Sequence, residues 1–414
     1  MKIRQQAILM LHRILNQGQK ADVLINRTDF DGRDKALLHE IIYGVLRRYY
    51  SLEADFCRFV QDKPDELMRM ALFVGFYQLR YMRVPTHAAV YETVEAIKKL
   101  QPNTTSRVNA ILRRCVRTAP PKKLKPWQQC ELPQDVYKTW RDAFGLETVK
   151  AFSVFLQTPP PLTVAVLIGS REDWIAACQQ QDIEAKVGSH SPWAVILPLG
   201  TFVADLPGYD DGQFMVMDQA AQMSVGVLNK ASKRHLDLCS APGGKMIVAS
   251  KQLSDAHIVG VERTESRLPR LQENMLRMQS TAKLVHADAL QLPFADQSFD
   301  SVLLDAPCSA SGIIRRHPDA KFLHSLNDAA QLAKRQFRML EEAIRVCRPG
   351  GQIVYAVCSL HPQETEAVVK QVQDRCDPLA LPSDLQALQV SEGMVRLFPN
   401  EEHDGFFIAN LTRK

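Results

Sequence analysis

Apolar residues recur along the first third of the chain at spacings of three and four: Ile8, Leu11, Ile14 and Leu15, then Leu37, Leu38, Ile41, Ile42 and Val45. That period puts each set on one face of an amphipathic helix, so residues 1 to about 118 are expected to be all-α. The pattern stops at Thr118-Ala119-Pro120-Pro121, where proline removes backbone donors and pushes the preceding residue out of the helical region. A linker is predicted there. From about 125 to 229 the pattern is mixed, with a helical stretch near 134–156 followed by β-prone runs at 162–168 and 194–197. Beyond 230, short apolar runs suited to buried strands (235–238, 258–261, 282–285, 301–304 and 352–356) alternate with helical segments. Such alternation predicts a parallel sheet covered by helices, and Phe406–Leu411 reads as its edge strand. The expected architecture is therefore multidomain: an all-α block over 1–124, a small α+β segment over 125–229, and an α/β domain over 230–414.

Composition narrows the picture without deciding it. The 414 residues are 46% hydrophobic and 23% charged, as in folded proteins, with a formal net charge of +5 that is compatible with nucleic acid. The nine cysteines form no C-x-x-C pair, so neither a zinc site nor a disulfide framework is expected, and free thiols suit a reducing, cytoplasmic setting. The amino terminus has no apolar signal core and no run of eighteen apolar residues occurs, so no membrane association is expected. No internal repeat or low-complexity tract is present.

The chemistry concentrates at strand ends. In an open α/β sheet, residues just past the carboxyl ends of the strands line the ligand crevice. Asp305-Ala306-Pro307-Cys308 follows the run 301–304, and Val357-Cys358-Ser359 follows 352–356. A free cysteine is by default a small buried hydrophobe. Two of them at strand ends in one crevice instead suggest covalent chemistry, because a thiolate adds readily to an electron-poor double bond. Upstream, Cys239-Ser240-Ala241-Pro242-Gly243-Gly244-Lys245 joins the 235–238 strand to a helix. Glycines there let backbone approach a ligand, and the helix start offers free N–H groups. Glu262 stands nineteen residues after Gly243, at the end of the second strand, where an acid meets ribose hydroxyls. Asp288 follows the third strand, placed for an adenine amino group. The loop lacks the G-x-x-x-x-G-K-[ST] pattern, so a nucleoside cofactor fits better than a polyphosphate.

These residues carry a resemblance. The runs 238–245 and 305–312, then Ile314-Arg315-Arg316-His317-Pro318-Asp319, Tyr355-Ala356-Val357-Cys358-Ser359 and Asp404-Gly405-Phe406-Phe407, resemble the RNA cytosine-5 methyltransferase family that uses S-adenosylmethionine. Within it the chain looks most like the bacterial 16S ribosomal RNA branch of the RsmB (Fmu) type. Asp34-Lys35-Ala36-Leu37-Leu38, Gly44-Val45-Leu46-Arg47 and Val108-Asn109-Ala110-Ile111-Leu112-Arg113 are similar to the NusB-like helical RNA-binding domain fused in that family. The resemblance thus implies a NusB-like amino-terminal domain and a Rossmann-like class I methyltransferase domain. The chain departs from the family at Met246, where Thr is usual, at Glu262 for Asp, at Val357 for Thr, and at Ala165 and Leu167 for Arg and Asn.

What the resemblance implies is a methyl transfer from S-adenosylmethionine to C5 of a cytosine in 16S rRNA. Cys358 would attack C6, Cys308 would help release the product, and Asp305 would bond the base while lying near the cofactor. Cys239 to Lys245, Glu262, Asp288 and Asp305 would hold the cofactor. Arg315 and Arg316, beside His317 and Lys321, would clamp phosphates of a flipped-out nucleotide, since C6 is reachable only in an unstacked base. A second basic run, including Arg113, Arg114 and Arg117, would contact phosphate, although such a run is often only a solvated helix face. Lys334, Arg335 and Arg338 read as surface charge. The implied partner is unassembled or partly assembled small-subunit RNA, with no metal, no membrane and no obligate protein partner. The alternatives are the same chemistry on transfer RNA or another ribosomal cytosine, and a non-catalytic RNA-binding factor resembling an antitermination module.

Overall fold

A computed structural model describes residues 2–414, which pack as two compact units. One comprises the chain up to Thr158 together with Ile314–Leu326; the other comprises Pro159–Ile313 and Asn327–Lys414. The blocks expected to divide at 124 and 229 are sequence modules, which we keep as a proposal; packing groups the chain differently.

The first unit is helical. Its main helices are Ile3–Gln17, Gly32–Arg47, Glu66–Tyr81, Thr86–Leu100 and Thr105–Val116. Asp31 and Asp65 start two of them by accepting from the backbone N–H three residues on, at 3.1 and 2.9 Å. Ile8, Leu11, Ile14, Leu38, Ile41, Ile42 and Val45 are buried in one core with Phe73, Phe76 and Leu112, whereas Leu15 and Leu37 are only partly covered. The helical stretch near 134–156 is two helices, Gln134–Phe144 and Leu146–Leu156, separated by Gly145 with φ 84°. Both belong to this unit.

The inserted piece 314–326 is tied to that unit by charge-assisted bonds. Asp319 accepts from the Ala21 N–H at 3.0 Å. The Arg47 guanidinium donates twice to the Arg315 carbonyl, at 3.0 and 2.8 Å. Lys321 Nζ donates to the carbonyls of Arg47 and Glu131, and Glu131 accepts from the N–H groups of Tyr50 and Ser51. Phe322 packs edge-on against Tyr49 with ring centroids 4.7 Å apart.

The second unit holds two sheets. Strands β1 (Leu162–Val166), β2 (Lys186–Val187), β3 (Ala194–Leu197) and β4 (Phe214–Val216) form an antiparallel sheet in the order β2-β3-β1-β4. Ala165 in β1 is fully buried and Leu167 half-buried, so the two positions that depart from the family face protein.

The larger sheet carries the chemistry. Strands β5 (Arg234–Leu238), β6 (His257–Glu262), β7 (Lys283–His286), β8 (Phe299–Asp305) and β9 (Cys347–Val357) are parallel, in the order β9-β8-β5-β6-β7. They are the five strands the apolar runs predict. The sheet continues antiparallel through β13 (Phe406–Arg413), β12 (Met394–Leu397) and β11 (Gln389–Ser391), while β10 (Cys376–Pro378) also pairs β13. The final strand is therefore interior, not an edge. Its residues Phe406–Leu411 are buried because β12 covers the side that an edge strand would leave open. Among the described residues, no helix is long and apolar enough to cross a membrane.

Candidate active site

The loop after β5 turns sharply into the helix Gly244–Gln252. Cys239 and Gly243 adopt left-handed backbone, with φ 63° and 105°. The Ser240 hydroxyl donates to the Asp237 carbonyl at 2.8 Å and the Gly243 N–H to the Ser240 carbonyl at 2.7 Å, which closes the turn. Met246 is fully buried, and its sulfur occupies the space beside Gly260, where any Cβ would come within 2.3 Å. The departure from Thr is thus absorbed in the core below the loop.

Beside this loop a cavity of about 180 Å³ runs past the ends of β6 and β7. Its lining includes Cys239, Glu262, Asp288, Pro307 and Met339. Glu262 is 3% exposed and holds the loop in place, accepting from Thr264 N–H at 2.7 Å and Ala241 N–H at 3.3 Å. A carboxylate has about four acceptor positions, so capacity remains for ribose hydroxyls. Asp288 accepts from the Leu290 N–H at 3.0 Å and pairs Arg263 at 3.3 Å. Two acids and apolar walls from Val261, Ala287, Pro307 and Met339 suit a nucleoside. Glu262→Ala is expected to weaken cofactor binding by about 1.5–3 kcal/mol, the worth of a bond to a charged acceptor. Calorimetry with S-adenosylhomocysteine checks this, and unchanged affinity would place the ribose elsewhere.

The two thiols meet. Cys308 Sγ lies 3.2 Å from Cys358 Sγ, across the neighbouring ends of β8 and β9. Lys245 Nζ donates to Asp305 at 2.7 Å. Burial would strip the Lys245 charge, but Asp305 and, less strongly, Cys358 hold its ammonium above the usual range. The Cys308 thiol is pushed well above its ordinary value by its hydrogen bond to Cys358 and by burial, with the Glu364 charge adding to the effect. Burial pushes the Asp237 carboxyl, beneath the loop, up to about 7. One strongly protonated thiol therefore sits against a second thiol that has a cation nearby. Gly312 crosses Gly405 at the turn behind Cys308: the Gly405 N–H donates to the Gly312 carbonyl at 2.9 Å, and a Cβ on Gly312 would lie 2.3 Å from the Gly405 carbonyl oxygen. A side chain at either position would collide with the backbone of the other.

The basic residues divide. Arg113, Arg114 and Arg117 are exposed on and just past the helix Thr105–Val116, and Arg114 also stacks over Phe59 at 5.3 Å. Arg315 is 1% exposed and Lys321 is buried, so neither displays its charge to an incoming phosphate; Arg316 is half-buried and His317 exposed. In that motif the Arg315 carbonyl, the Asp319 carboxylate, the Lys321 ammonium and the Phe322 ring make the contacts described above, which the local charge pattern disguises. Arg335, read as surface charge, lines the cavity beside Glu262 and Asp288 instead. Arg267 was not anticipated either: its guanidinium donates to the Ala241 carbonyl at 2.6 Å and lies 3.5 Å from Glu262. Its signal is an arginine one turn beyond an acid that ends a strand. Glu364, six residues after Cys358, is fully buried beneath both thiol loops and was likewise missed.

Comparison with known proteins agrees with this geometry. Residues 226–412 match the family described as 16S rRNA methyltransferase RsmB/F, and residues 1–117 match the NusB family. The chain is 32% identical to ribosomal RNA small subunit methyltransferase B of Vibrio cholerae, over all of this chain and 98% of the relative. It is 33% identical to the protein of that name from Serratia proteamaculans, over 99% and 98% of the two chains. Among solved structures, PH0851 superposes with a TM-score of 0.81 at 20% identity, covering 100% of this chain and 99% of that one. NSun6 from Pyrococcus horikoshii with SFG gives 0.61 at 19% identity, covering 68% and 98%. These two likenesses are of fold.

Proposed function

The chain belongs to the RsmB/F family of rRNA methyltransferases and uses S-adenosylmethionine, and from that premise we propose methylation of C5 of one 16S rRNA cytosine through a Cys358–C6 adduct. The observation that carries the proposal is the 3.2 Å approach of Cys308 to Cys358 beside the Lys245–Asp305 pair. C5 of cytosine is a weak nucleophile. Addition of the Cys358 thiolate at C6 drives the C5=C6 electron pair onto C5, which can then form a bond to a methyl carbon. When bound, S-adenosylmethionine supplies that methyl group from a positively charged sulfur, held by the 239–245 loop, Glu262 and Asp288. Asp305 serves the base's N3/N4 edge, stabilising the protonated form as charge develops. Loss of the C5 proton then restores the double bond and expels Cys358 as thiolate, with Cys308 assisting.

RNA contacts follow from exposure. Arg113, Arg114 and Arg117, on the helical module, are proposed to bind phosphate, with Arg316 as a contributor from the other basic motif. Replacing Arg113 and Arg117 by alanine is expected to raise KM for RNA and to flatten its salt dependence. The slope should fall by roughly 0.7–0.9 for each phosphate that is no longer neutralised. Cofactor affinity should stay unchanged, and a parental salt slope would return the patch to ordinary surface.

The nucleotide is tested by bisulfite sequencing of ribosomal and transfer RNA from a strain lacking this gene. Loss of one protected cytosine in 16S rRNA, restored by the gene, is expected. Loss confined to transfer RNA or to another ribosomal RNA would overturn the 16S assignment while keeping the chemistry.

A further inference from the structure

Beneath the two thiols lies a carboxylate that touches neither the cofactor cavity nor the reacting sulfurs. Glu364 sits in the short turn Pro362–Glu364 that follows Cys358 and is fully buried. Four donors converge on its two oxygens. The Ser309 N–H and the Gln336 amide reach Oε1, both at 2.9 Å; the Ser359 hydroxyl at 2.6 Å and the Ser309 hydroxyl reach Oε2. All four are neutral, the pattern of an ionised carboxylate solvated by protein dipoles instead of a counter-ion.

An ionised carboxylate only accepts, and this fixes the direction of every hydroxyl around it. Ser309 and Ser359 commit their protons to Glu364. Ser359 Oγ then accepts from the Ser311 hydroxyl at 3.0 Å and from the His361 N–H at 3.1 Å, while Ser311 accepts from the Leu360 N–H at 2.9 Å. Gln336 spends its second amide hydrogen on the Pro307 carbonyl at 2.9 Å. Tyr355 donates to the Glu364 carbonyl at 2.7 Å. Pro307, Ser309 and Ser311 flank Cys308, and Ser359, Leu360 and His361 follow Cys358. Apart from the His361 N–H bond, which lies within the segment after Cys358, these bonds run between the two turns that carry the thiols or tie them to Glu364 and Gln336.

We propose that Glu364 is a positioning residue: its carboxylate pins the turn after β8 to the turn after β9 and thereby holds Cys308 and Cys358 together. The consequence for catalysis rests on the covalent reading above, but the consequence for thiol geometry does not. The Glu364 charge also disfavours a thiolate at Cys308.

The test uses Glu364→Gln in the full chain. This variant keeps the volume but turns an N–H₂ group toward donors, so the network cannot close. Two readouts separate the claims. The first is capture of the thiol pair by phenylarsine oxide, in which two As–S bonds form while arsenic loses its oxygen as water with the two thiol hydrogens. Cys308→Ser supplies the background from other cysteines. The second is single-turnover methyl transfer with S-adenosylhomocysteine affinity measured alongside. Capture is expected to slow at least about tenfold and methyl transfer by on the order of 10²-fold, the scale of a misplacement near 1 Å, with cofactor affinity unchanged. Folded Glu364→Gln with parental capture overturns the proposal, whatever its activity. Slow capture with parental methyl transfer supports the positioning role and instead removes the thiol pair from the reaction. If Glu364→Gln does not fold, Ser309→Ala removes one donor and keeps the Ser309 N–H bond; slower capture supports the role, and parental capture overturns it.

Discussion

Cys358→Ala is expected to lower methyl transfer by on the order of 10⁴-fold or more, as removal of a covalent nucleophile does in enzymes whose catalytic groups act as a unit. Cofactor binding should persist, because the cavity is lined by the 239 region, Glu262, Asp288 and Pro307, and not by Cys358. Calorimetry with S-adenosylhomocysteine should thus give an affinity within a few-fold of the parent. The assignment rests on the position of Cys358 at the end of β9, in the motif that the family resemblance gives to the attacking thiol, with the Lys245 ammonium nearby. Methylation at the parental rate by Cys358→Ala would sink the covalent reading. Loss of both activity and cofactor affinity would point to a collapsed loop instead.

The second large effect separates the thiols. Cys308→Ala is expected to form the Cys358–C6 adduct and transfer the methyl group, then stall, leaving enzyme covalently bound to methylated RNA. The chief cause that keeps the Cys308 proton in place is its hydrogen bond to Cys358, and the charge of a Cys358 thiolate acts in the same direction. Once Cys358 is a neutral thioether in the adduct, both influences end, while burial and the Glu364 charge remain. Cys308 is the group left beside the adduct to assist at the step where the C5 proton leaves and Cys358 is expelled. Alanine offers no such group. The trapped species should survive denaturing electrophoresis and vanish in the Cys308→Ala/Cys358→Ala double variant. Trapping by Cys358→Ala instead would reverse the roles, and no trapping by either would make Cys308 a small buried residue beneath the loop.

Much of the catalytic unit was legible because buried parallel strands announce themselves as apolar runs. The ends of those runs bring Glu262 and Asp288 to one cavity, and Cys308 and Cys358 to each other beside the Lys245–Asp305 pair. The strand Phe406–Arg413 was misplaced at an edge, since Met394–Leu397 and Gln389–Ser391 are too short to register as strands before their pairing is seen. Charged residues misled for a different reason. Arg315, Lys321 and Glu131 look like surface polarity in any window of sequence, yet their partners are 80 to 274 residues away, among backbone groups no pattern reports. Glu364 escaped notice likewise: its role lies in four donors, one from its own turn and the others from distant parts of the chain.

The segment 314–326 sets an order of events during synthesis. A ribosome releases the helical unit's first 158 residues long before it reaches Asp319, Lys321 and Phe322. Until then Arg47 has no Arg315 carbonyl to donate to, and the buried Glu131 has no ammonium beside it. The helices can gather around Ile8, Leu11 and Phe73 while the chain is still being made. Completion waits for a piece encoded past the Cys308 turn, so the helical unit is finished only after four strands of the parallel sheet have been synthesised.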